Sequence, residues 1–282
     1  MKHSSRIYLM MMIWLAGMGS LPLEAQQREE FNGPLAGWAN VRIRFGAKGD
    51  GKADDTRALQ AALDSLTCTL SKFNTGREAY TVIYIPRGQY RITQTLQLRG
   101  KIGFNIIGED PENTIIEWAG KANDTMLWSN ASAYYKIGRI TFQGNKVANL
   151  EGLGIHWKDT WKTATSRSYA AVNIEIADCN FKGLNVGIGG GYKHNDSEVK
   201  INRCSFYNCT RAGVEIKSPN ALDYWIWHCR FYDCNIGINN VRGNYHLYYS
   251  YFRNSKFCDI QNDQGYYTSV RGCFSENSTA FS

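Results

Sequence analysis

Glu215 and Lys217 stand two residues apart in GVEIK, a spacing that puts both side chains on one face of an extended strand. A carboxyl group and an amine so placed suit chemistry on sugars. The carboxyl can protonate a glycosidic oxygen or ligate a cation. The amine can offset a uronate carboxylate or withdraw the proton beside it. Lys158 offers a second such amine, and His156 precedes it by two positions. Asn239, Gln261 and Asp263 supply hydrogen-bonding partners for hydroxyl groups, while Trp157, with Trp161 nearby, offers an aromatic face on which a sugar ring can pack. These residues act together only if the fold lines them up.

A repeat supplies the alignment. IEIADCNFKGLNVGIG, VKINRCSFYNCTRAGVEIK, YWIWHCRFYDCNIGIN and YHLYYSYFRNSKFCDIQ share one pattern, with a looser copy around Phe142 and a last one around Phe274. The common column is Phe142, Phe181, Phe206, Phe231, Phe252 and Phe274, with later spacings of 25, 25, 21 and 22 residues. A period of this length marks a solenoid. Each unit alternates apolar and polar residues, so its elements are strands. Asn- and Gly-rich corners join them. The pattern predicts a parallel β-helix in which each coil lies ~4.8 Å above the last and equal slots stack. Cys204 over Cys229 and Cys209 over Cys234 then form internal ladders, read as buried, free thiols, with disulfides between neighbouring coils the sterically open alternative.

Alternation places Ile155, Ile188, Val214, Ile238 and Ile260 inside, and His156, Gly189, Glu215, Asn239 and Gln261 outside. Two residues on, Lys158, Gly191, Lys217 and Asp263 extend this outer stripe. The run Gly189–Gly191 reads as a flexible corner beside His194, Asn195 and Asp196, and His228 and His246 read as packed.

At the front, Lys2, Arg6 and the apolar run Ile7–Met18 predict a secretory signal peptide over residues 1–25, cut after Gly19 or Ala25. Residues 26–40 read as a linker and 41–282 as the solenoid domain. Nothing later is apolar for long enough to span a membrane. The formal charge of +7 suits a polyanionic partner. In a secreted or periplasmic setting that partner is an acidic polysaccharide rather than nucleic acid. Asp54 and Asp55 precede TRALQAALDSL, in which Leu59, Ala62, Leu63 and Leu66 share one helical face. The expectation is an N-capped helix that covers the open bottom of the solenoid. The alternative reading of GDGKADD is an oxygen-rich Ca2+ loop. The chain ends at Phe281-Ser282 inside a coil, which predicts either truncation at the C-terminus or an end capped by association.

FGAKGDGKADDTRALQAALD, VIYIPRGQYRIT and IIGEDPENTIIEW together resemble the opening of the pectate-lyase-like superfamily, in its rhamnogalacturonase and epimerase-like branch. The resemblance covers Val41 to Ser282 and implies an all-β fold, a right-handed parallel β-helix, in a secreted protein working on polysaccharide. It further implies that catalytic carboxylates stand at the start of the strand after the Asn-rich corner. The corresponding positions, Asn185-Val186-Gly187, Arg211-Ala212-Gly213 and Asn235-Ile236-Gly237, carry no Asp or His. Two functions stay open. One is a lyase or glycoside hydrolase on uronate-containing polysaccharide, with Lys158, Glu215 and Lys217 catalytic, His156, Trp157, Asn239, Gln261 and Asp263 on the substrate, working with or without bound Ca2+. The other is a non-catalytic polysaccharide-binding or adhesion β-helix, or an inactive partial chain. Oligomeric state is not legible.

Overall fold

The computed structural model describes residues 33–66, 79–156, 171–192 and 196–282. The predicted signal segment, Trp157, Lys158, Trp161, His194 and Asn195 lie outside them. Contacts divide the chain after Leu35, and the fold is that of Ala36–Ser282.

Alternating sequence becomes strands, and equal slots become neighbours. Among the described residues there are three sheets, and the pairs within them are parallel and join equivalent strands of successive coils. The first sheet has nine strands and runs from Ala39–Asn40 to Thr268–Arg271. The second has nine, from Asp50–Asp54 to Phe274–Glu276. The third has seven, from Leu96–Arg99 to Cys258–Asn262, so the solenoid makes about seven turns. The expected β-helix is therefore present.

Two corners repeat in each coil, and each needs one residue with left-handed backbone. At the first, Asp178, Arg203, His228 and Tyr249 all have φ between 49° and 55°. At the second stand Gly183, Asn208, Asp233, Asn254 and Asn277, with φ between 53° and 62°. Gly, Asn and Asp tolerate this region best, which explains the second corner's composition. His228 and Tyr249 are less suited to it, and their rings stack at 5.6 Å.

The phenylalanine column is continuous from Phe142 to Phe252, with centroid separations of 5.1, 5.1, 4.8 and 4.7 Å. It does not extend to Phe274. Ser275 pairs with Phe252, whereas Phe274 pairs with Tyr251 and stacks on its ring outside the core. The corner explains the shift. Its left-handed residue follows the core Phe by two positions, as in Phe252 to Asn254, and Asn277 follows Ser275 by two. Cys179, Cys204, Cys209, Cys229 and Cys234 are buried free thiols, as the repeat predicts.

Helix α1 (Val41–Phe45) was not expected; Asn40 caps it through Oδ1, and Gly46 ends it at φ 78°. Helix α2 (Thr56–Asp64) buries Leu59, Ala62 and Leu63 against Leu96, Ile106, Leu127 and Phe142 of the first coils. Its cap differs from the expectation in detail. Asp54 accepts from the Thr56 amide at 3.0 Å. Asp55, the residue before the helix, turns away to accept from Lys48 N at 2.6 Å and Gly49 N at 2.9 Å. Asp50 accepts from Lys52 N and Ala53 N. Asp50 and Asp55 of GDGKADD thus hold amides of their own loop, which favours the turn-and-cap reading over the Ca2+ reading.

Candidate functional site

The outer face of the third sheet carries the row Trp128, Gly154, Gly189, Glu215, Asn239 and Gln261, each paired with the next. This corrects the early register. Leu153, not Ile155, continues the inward column of Ile188 and Val214, and Gly154 rather than His156 stands beside Gly189. Gly152 and Gly154 are interchangeable under a two-residue period, so alternation cannot choose between them. The hydrogen bonds from Glu151 N to Asp124 O and from Asn185 N to Leu150 O select the first. His156 pairs with Asn130 and Tyr192, two positions further along.

That shift uncovers a residue the sequence reading missed. Glu151 pairs with Val186, the head of the strand after the corner, and Val186 pairs with Ala212. Glu151 therefore occupies the position where the resemblance led one to expect a carboxylate. The signal was available in Leu150-Glu151-Gly152, the counterpart of Asn185-Val186-Gly187. Glu151 reaches over the neighbouring strand, and a Cβ on Gly189 would lie 1.8 Å from its Oε1. Gly189 is glycine because a carboxylate fills its side-chain space. The run Gly189–Gly191 lies in strand Val186–Tyr192, so it serves close approach rather than flexibility.

Glu215 adjoins Gly189 on the next strand. It is fully buried although it points outward. Its Oε1 accepts from Arg211 Nε and, at 2.9 Å, from Asn239 Nδ2, and its Oε2 lies 2.6 Å from Lys217 Nζ. Burial raises the pKa of Glu215; Arg211 and Asn239 pull against that rise, and the charge of Glu151 adds to it. Burial lowers the pKa of Lys217, and the charge of Glu151 partly offsets this. Glu151 itself accepts from Thr125 Oγ1 at 3.1 Å.

These groups line a cleft of about 280 Å3 together with Asn123, Asp124, Asn149 and Asn185. Three carboxylates in unlike surroundings, those of Asp124, Glu151 and Glu215, converge there with an amine and a half-exposed guanidinium. Such a set can donate a proton, accept one and hold an anionic group. Of the residues singled out in the sequence, Glu215, Lys217 and Asn239 come together. Gln261 and Asp263 lie beyond Asn239 and bond each other at 2.9 Å. His246 stacks on Trp225 at 4.2 Å and meets Ser269 Oγ at 2.8 Å, away from these residues on the first sheet. Among the described residues no helix is long and apolar enough to cross a membrane.

The family model described as rhamnogalacturonase A/epimerase, pectate lyase-like, matches residues 38–262. Polygalacturonase ADPG1 of Arabidopsis thaliana is 23% identical over 180 residues, 62% of this chain and 38% of that protein. Alginate lyase 7 of Azotobacter vinelandii is 33% identical over 119 residues, 38% of this chain and 13% of that protein. The chain thus spans well under half the length of these curated relatives. Among solved structures, the catalytic domain of a GH87 alpha-1,3-glucanase shares the fold at a TM-score of 0.52 and 13% identity, over 81% of this chain and 38% of that one.

Proposed function

The chain belongs to the rhamnogalacturonase A/epimerase, pectate lyase-like family, and from that premise we propose that it cleaves a uronate-containing polysaccharide in the Glu151–Glu215 cleft. The observation that carries this reading is the Glu151 carboxylate lodged over Gly189, beside Glu215. In the hydrolytic reading Glu215, whose pKa burial raises, is the general acid on the glycosidic oxygen. Glu151, hydrogen-bonded to Thr125, is the base or nucleophile opposite it. Arg211 and Lys217 take the uronate carboxylate. Asn239, Gln261 and Asp263 continue the row and would meet sugar units further along. His156, Trp157 and Lys158 remain proposed contacts at the early coils.

One observation favours a second reading, β-elimination. Burial lowers the Lys217 pKa, which makes a neutral amine more accessible as the base at C5, with Arg211 offsetting the substrate carboxylate. Ca2+ brought in with the substrate could share that task. An extracytoplasmic site of action, reached through the signal segment over residues 1–25, belongs to the same proposal.

The test incubates the chain with a panel of polyuronates and neutral glucans, with and without Ca2+. New reducing ends without absorbance near 235 nm support hydrolysis, and a rise at that wavelength supports elimination. Glu151→Gln and Glu215→Gln should each abolish the former, while Lys217→Met should abolish the latter. Binding without either product would overturn both and leave a polysaccharide-binding solenoid.

A further inference from the structure

Beneath the cleft lies a buried polar pair that the reaction does not use. The Asp196 side chain is 3% exposed and Tyr224 is fully covered. Oδ2 of Asp196 accepts from the Tyr224 hydroxyl and, at 2.8 Å, from Gly191 N. The same glycine run that holds Glu151 outside passes over this pair inside. A Cβ on Gly190 would lie 1.9 Å from the Tyr224 hydroxyl and 2.9 Å from Asp196 Oδ2. The Gly190 carbonyl accepts from Lys217 N at 3.0 Å. The glycine run therefore meets Asp196 and Tyr224 on one side and Glu151 on the other, and its Gly190 carbonyl pairs with the backbone amide of Lys217, the residue whose amine lines the cleft.

A buried carboxylate is a costly way to fill space, since an apolar residue of similar volume serves packing as well or better. What a carboxylate adds is direction. One oxygen gathers a hydroxyl and a backbone amide, and so fixes the height of the strand between them. We propose that Asp196 and Tyr224 are positioning residues, holding the Gly189–Gly191 backbone so that Glu151 and Lys217 converge on Glu215. The proposal rests on the reading of the cleft as the reactive site.

Tyr224→Phe removes the hydroxyl and no charge; Asp196→Asn removes the charge and keeps the shape. Two readouts separate this proposal from the function it rests on. The first needs no substrate: the Glu215 side-chain carboxyl is titrated by 13C NMR. Because the charge of Glu151 helps to raise the Glu215 pKa, displacement of Glu151 should lower the Glu215 midpoint in both variants. The second is turnover on whichever polysaccharide the panel identifies, where kcat should fall at least ten-fold with KM within two-fold of the parent. An unchanged midpoint and unchanged kcat alongside a lower melting temperature would reduce the pair to packing and overturn the proposal. If the parent cleaves no polysaccharide, the function falls, and the NMR midpoint still decides the positioning. If Asp196→Asn does not fold, Tyr224→Phe decides alone.

Discussion

Glu215 points outward from a strand yet has no solvent exposure. Its folded-state pKa is raised above the ordinary value of 4.5, chiefly by burial. A raised acid favours the fold in its protonated form. That contribution is complete below the unfolded value and is lost as pH rises through the higher folded one. Glu215→Gln carries no such loss. Its melting temperature relative to the parent should therefore climb as pH rises from the ordinary carboxylate value through the higher folded one, as scanning calorimetry at several pH values can check. A flat difference would mean that the ion pairs to Arg211 and Lys217 fully offset burial. Gly189→Ala tests the neighbouring contact. A methyl group 1.8 Å from Glu151 Oε1 must displace that carboxylate, so turnover should fall by about ten-fold or more, more than 1.4 kcal/mol of transition-state stabilisation. The residue itself should remain foldable, because Glu151 is the end of a flexible side chain.

At the scale of the element, the coil is a unit whose interior slots are filled in register. Phe231 is sandwiched between Phe206 and Phe252, so Phe231→Ala leaves a cavity between two rings. The expected cost is about 3–5 kcal/mol, read from urea unfolding. Asp259 breaks another column. Gly152, Gly187, Gly213 and Gly237 face the phenylalanine rings, and Asp259 takes the next place. It is fully covered, and neither carboxylate oxygen has a hydrogen-bond partner among the described residues. Burying a polar group unpaired is unfavourable, so Asp259→Gly should raise the melting temperature by a few degrees, at about 2–4 °C per kcal/mol for a chain of this size. A fall instead would show that the carboxylate has a partner the fold depends on.

Across the whole molecule, stacking decides chemistry as well as shape. Burial raises the pKa of the Cys179 and Cys204 thiols, and in Cys209 the neighbouring Cys234 thiol is the first cause of the rise, with burial second. A thiol that is both covered and protonated is slow to react. In the native protein, a thiol reagent should therefore modify Cys273 first among the described cysteines, since it is the one not fully buried. In denaturant all of them should react. Rapid native labelling of Cys204 or Cys229 would contradict the closed ladder. The cleft is likewise a property of the stack, for Glu151 and Glu215 come from strands that are two apart in the third sheet.

The sequence by itself determined the repeat, the strand content and the stacked Phe and Cys columns, because a period of about 25 residues and a side-chain period of two are local properties that survive without coordinates. It also determined that Glu215, Lys217 and Asn239 share a face. The tertiary structure decided what alternation leaves degenerate. Gly152 and Gly154 fit one pattern equally well, and only the hydrogen-bond register between coils chose Gly152, moved His156 along the strand and brought Glu151 to the cleft. Register likewise put Ser275 rather than Phe274 in the core column. The approach of Glu151 to Gly189 from outside, and of Tyr224 to the same glycine run from inside, joins residues distant in sequence. Such contacts depend on which strand lies beside which, and a local pattern carries no information about that.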